Sequence, residues 1–123
     1  MIKDVEDLII YKRALALLRP IYKLVDLLPK QEFQLKKQLC NAAKSISAQI
    51  TEGFAKKDSQ IEFKRFLFMA LGSSDEVVTH LRQIKLLSFP NVKKITCDAL
   101  INYYKVESKQ LNALIQKIKS KNI

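Results

Sequence analysis

A chain of 123 residues is the size of one domain, expected here to span residues 1–123, and can bury a core without disulfides or a metal. With 48% apolar residues, two glycines and three prolines, it is neither a disordered chain nor one patterned for sheet. Its net charge of +10, from 22 Lys and Arg against 12 Asp and Glu, bears on partners: nucleic acid, an anionic membrane surface or an acidic protein.

The first helix is predicted over residues 5–28. Asp4 is its N-cap, and Glu6 and Asp7 place negative charge in the first turn, where the helix dipole favours it. Leu8, Tyr11, Leu15, Leu18, Tyr22 and Val25 recur at threes and fours as its inner face. Pro29 ends it. Pro20 removes one backbone donor inside it and either kinks it or divides it into two shorter helices.

A second helix is predicted over residues 32–52, with Leu35, Leu39, Ala42, Ile46 and Ile50 inward and Gly53 as its C-terminal stop. The third begins at Ser59, where Ser59 and Glu62 fit a capping box, and ends before Pro90. Its inner face is Phe63, Leu67, Ala70, Ser74, Val77, Leu81 and Ile84. The fourth covers residues 92–119, with Leu100, Tyr104, Leu111, Ile115 and Ile118 inward. Connections as short as 29–31, 54–58 and 88–91 make neighbouring helices antiparallel. The expected fold is all-α, an antiparallel up-down-up-down four-helix bundle.

The run at residues 66–71 is apolar all round its helix, although a surface helix should keep a polar face. Phe68 and Leu71 point away from the inner stripe and are candidate contacts between subunits of a homo-oligomer. Beside the apolar stripe of the second helix lie Gln38, Ser45 and Glu52, spaced by seven, with Asn41 and Gln49 nearby. Together with Arg65, a candidate partner for Glu52, and Glu76, they form a polar seam that fixes helix register or a subunit contact; a general acid/base pair is the competing reading.

No other pattern resembles a catalytic site. Glu76 and His80 are spaced i, i+4, unlike the Glu-x-x-His of di-iron bundles, and no glycine-rich phosphate loop or zinc-ligand spacing occurs. Cys40 and Cys97 are read as reduced, buried, small hydrophobes. No enzymatic activity, metal or cofactor is expected. The longest apolar run is too short to cross a bilayer and no signal-peptide pattern opens the chain, so a cytoplasmic protein without membrane association is expected.

At 100° per residue, Lys94, Lys105, Lys109 and Lys119 fall within roughly 80° of arc on the fourth helix, a stripe interrupted by Asp98. Lys12, Arg19 and Lys23 form a similar row on the first. From Val77 onward nine basic residues stand against two acids. Lysine meets phosphate as a point charge and reads base edges poorly, so these rows are candidate sites for electrostatic RNA or DNA binding with little sequence preference. A solvated face on a purely structural or protein-interaction bundle is the alternative.

The run Ser45-Ile46-Ser47-Ala48-Gln49-Ile50-Thr51-Glu52-Gly53, followed by Glu62-Phe63-Lys64-Arg65-Phe66-Leu67 and Ala70-Leu71-Gly72-Ser73, resembles the four-helix bundle proteins encoded within intervening sequences of bacterial 23S ribosomal RNA genes, also labelled S23 ribosomal proteins. The similarity covers roughly residues 8–87. Ser47 stands where the family has proline, and Gln49 where it has asparagine. The resemblance implies a homopentamer. It further implies kinship with the accessory variability protein of diversity-generating retroelements, a basic barrel that binds nucleic acid and a reverse transcriptase.

Overall fold

A computed structural model describes residues 3–121, with side chains described as far as residue 118. Asp4 accepts from the Glu6 amide at 2.8 Å, and the Asp7 carboxylate folds back to accept from the amides of Lys3 and Asp4, both at 3.1 Å. Those amides hold the Asp7 carboxyl below its usual range. This capping box closes a single 3-10 turn, Val5–Asp7, not the long helix expected at residue 5. Leu8 is extended (φ −80°, ψ 126°), and α1 runs from Ile9–Asp26. Pro20 lies inside α1 without dividing it.

The inner face of α1 differs from the expected one except at Val25, which is buried as expected. Ile10, Ala14, Leu17, Ile21, Leu24, Val25 and Leu28 are buried, whereas Leu15 and Tyr22 are exposed and Leu8, Tyr11 and Leu18 only half-buried. The helix carries two apolar stripes of the same period, roughly 110° apart at 100° per residue. The one richer in aromatic residues packs only at the edge of the core, through Leu8, Tyr11 and Leu18.

A 3-10 turn at Lys30–Glu32 leads into α2, Phe33–Ala55. Leu39, Ala42, Ile46 and Ile50 are buried as expected, and Leu35 is half-buried. Gly53 does not stop the helix. It is buried against α3, Gln60–Leu87, where a Cβ would lie 3.0 Å from Phe66 Cβ and 3.3 Å from both Phe63 Cδ1 and the Phe63 carbonyl. Glycine is needed there for close approach of two helices. Ser59 caps α3 by accepting from the Glu62 amide at 3.2 Å, but Glu62 binds Arg65 instead of completing the box. Ser88 ends α3 in the left-handed conformation (φ 55°), and α4 spans Lys94–Lys121.

The described residues form four helices and no strand, so the chain is all-α, with one apolar core drawn from all four helices. Adjacent pairs run antiparallel where side chains mark the register. Ser45 of α2 meets Ser73 of α3, while Gly53 meets Phe63 and Phe66. Ser74 of α3 meets the Tyr104 carbonyl of α4, while Lys85 meets Asp98. Leu100, Tyr104, Leu111, Ile115 and Ile118 all face the core. The α1–α4 contact is the loosest and is flanked by surface hollows at both ends.

Candidate nucleic-acid interface

The inner stripe of α4 leaves the rest of the helix to solvent, and the flank beside α3 is basic. Lys94, Lys105 and Lys109 are all exposed; the Lys119 side chain lies outside the described residues. Antiparallel packing brings the last turns of α3 against the first turns of α4. Arg82 and Lys85 thereby join Lys94 around a hollow of about 490 Å³, completed by Leu86, Ile101 and Asp98. Lys85 Nζ donates to Asp98 Oδ1 at 2.7 Å, which neutralises part of the local charge and leaves Arg82 and Lys94 as cations of the hollow without an ion pair among the described residues. Lys105 and Lys109 continue the basic face along α4.

Lys12, Arg19 and Lys23 are exposed on α1 but belong to another face. Ile95, Tyr103 and Val106, all exposed, occupy the α4 surface between the lysine ridge and the α1–α4 contact. The two basic rows are therefore separated by an apolar strip.

The residues of the expected polar seam do not form one network. Ser45 hydrogen-bonds Ser73 at 3.0 Å, and Gln49 is half-buried. Gln38 is exposed. Glu52 pairs with Lys56 at 3.0 Å instead of Arg65. Arg65 makes two bonds to Glu62, at 3.0 and 3.1 Å, because Glu62 lies one turn away on the same helix and needs no loop-spanning reach. Its guanidinium also lies 4.4 Å from the Phe66 ring centre. Glu76 pairs with Nε2 of buried His80, whose Nδ1 lies 3.0 Å from Gln83. Phe68 is 48% exposed and Leu71 half-buried, so both lie at least partly outside the core.

A fully buried acid escaped the sequence reading. Glu107 is fully buried, and Arg13 of α1 reaches it at 3.1 Å while also donating to Gln110 at 2.6 Å. Glu107 Oε2 and the Tyr104 hydroxyl have no hydrogen-bond partner among the described residues. Burial pushes the Glu107 carboxyl up to about 7, with Arg13 acting against it, and also raises Tyr104. The signal was present: residue 107 falls three after Tyr104 and four before Leu111, on the inner stripe. Nearby, Ser108 Oγ lies 2.8 Å from Ser74 Oγ and 2.7 Å from Asp75, tying α4 to α3.

Cys97 is buried and Cys40 half-buried, both free thiols raised by burial. No helix among the described residues is long and apolar enough to cross a membrane.

These features define a small four-helix protein with a basic face along α3 and α4. Residues 6–118 match the family described as 23S rRNA-intervening sequence protein, and the chain belongs to that family. Compared with curated proteins, it has no match.

Proposed function

We propose that this protein is a non-enzymatic accessory factor that binds RNA or DNA electrostatically through the α3–α4 face, acting as a homo-oligomer. The observation that carries the reading is the convergence of Arg82, Lys85 and Lys94 from two helices on one hollow, continued by Lys105 and Lys109. The net charge of +10 adds long-range attraction for a polyanion. Such contacts position a phosphate backbone without specifying sequence. The family description concerns proteins of 23S rRNA intervening sequences, which agrees with a nucleic-acid setting.

The test is a fluorescence-anisotropy titration of labelled single- and double-stranded oligonucleotides against wild type and a Lys105→Glu, Lys109→Glu variant. Both lysines are exposed, so the fold should survive the change. The variant is expected to weaken binding to all sequences alike. Absence of wild-type binding at low salt would make the charge a solvated surface and favour a protein-interaction bundle.

A further inference from the structure

The outer face of α2 carries a second polar site that the lysine ridge does not include. Phe33, Gln34, Lys37, Gln38 and Asn41 follow one another at helical spacing and line a hollow of about 380 Å³. Phe33 is the first residue of α2 and is 66% exposed, although its ring could only gain by burial. The three carboxamides and the lysine have no hydrogen-bond or ion-pair partner among the described residues. No carboxylate of the described residues lines the hollow.

The combination is chemically selective. A planar apolar ring offers a stacking surface for any base. A carboxamide presents a donor and an acceptor side by side, which matches the paired donor and acceptor on a base edge. The lysine, with no acid beside it, favours an anionic ligand. In a duplex the base faces are stacked and closed, so a ring on a helix surface can meet them only where a strand is unpaired.

We propose that this hollow binds an unpaired nucleotide, with Phe33 stacking on the base, Gln34, Gln38 and Asn41 hydrogen-bonding its edge, and Lys37 meeting the phosphate. The proposal rests on the nucleic-acid reading above and sharpens it: the lysine ridge supplies general attraction and α2 supplies preference for single strands. Gln38 then belongs to a ligand site and not to a packing seam.

The experiment compares the full chain with Phe33→Ala and with a Gln38→Ala, Asn41→Ala double variant. The probes are a labelled single-stranded homopolymer, an abasic strand of equal length and a duplex, all at low salt. Phe33→Ala should lose about five- to 150-fold in affinity for the base-bearing strand, the range of one base–aromatic stack. It should leave the abasic strand and the duplex unchanged. All three replaced residues are exposed, and circular dichroism checks that the variants fold. Unchanged affinity for the base-bearing strand, or equal losses on the abasic strand, would overturn the proposal. So would a change of assembly size in sedimentation with base preference intact, which would assign the hollow to a contact between copies. If wild type binds base-bearing and abasic strands alike, this inference fails while the function reading stands. If it binds neither strand nor the duplex, the function reading fails as well.

Discussion

Arg13 crosses from α1 to place Nη1 3.1 Å from Oε1 of Glu107, a side chain with no exposure to solvent. The second carboxylate oxygen has no partner among the described residues. One guanidinium thus compensates one buried acid incompletely, at the loosest helix contact of the bundle.

Stability should fall as pH rises through this pair. The folded-state value of Glu107, about 7, lies above its ordinary value of 4.5, so folding takes up a proton between those limits. The neutral carboxyl suits burial, and stability is fullest below about 4.5. It declines towards pH 7 by on the order of 2–3 kcal/mol. Asp7 and Glu62, whose values are lowered, act in the opposite sense only at more acid pH. Urea unfolding of wild type and Glu107→Gln between pH 5 and 8 measures the effect. The difference between the two proteins should grow with pH in favour of Glu107→Gln, and a constant difference would contradict the assignment.

The two glycines should respond oppositely to alanine. At Gly53 a Cβ would meet Phe66 Cβ at 3.0 Å, an atom bonded directly to the α3 backbone, so the two helices must part. Overpacking costs about 1–3 kcal/mol, which outweighs a helix-propensity gain of about 1 kcal/mol. Gly72 has nothing within 4 Å of the same construction and lies inside α3, so Gly72→Ala should stabilise by about 1 kcal/mol. Thermal unfolding of both variants decides; a stabilised Gly53→Ala would show that the crossing is slack.

Self-association should depend on the exposed apolar surface of α3. Phe68 is nearly half exposed, and a carboxylate there would be buried without a partner in any contact between copies. Sedimentation of the wild type is expected to give a closed oligomer, five subunits on the family resemblance, and Phe68→Asp a smaller species. A wild-type species of 14.2 kDa would refute self-association.

Much of this molecule could be read from residue spacing. The stripes of α2, α3 and α4 were legible because each has one dominant apolar face, and Ser59 because its cap geometry is local. α1 was misread because its Leu/Tyr stripe and its Ile/Ala/Leu stripe share one period, and only the packing partner chooses between them. Gly53 looks like a stop in sequence, yet its role is set by Phe63 and Phe66 on another helix. The grouping of Arg82 and Lys85 with Lys94 depends likewise on a neighbouring helix: the antiparallel pairing of α3 and α4 was legible from their short connection, but the register that sets Lys85 against Asp98 was not.

The most direct test of a basic α3–α4 binding face is the salt dependence of oligonucleotide affinity for wild type and an Arg82→Glu, Lys94→Glu variant. Each phosphate neutralised releases counterion and steepens the fall of log affinity with log salt, by about 0.7 per contact on a single strand. The wild type is expected to show a steep slope, and the variant weaker binding with a slope shallower by about one to two contacts. A wild-type affinity indifferent to salt, or a variant with an unchanged slope, would contradict it.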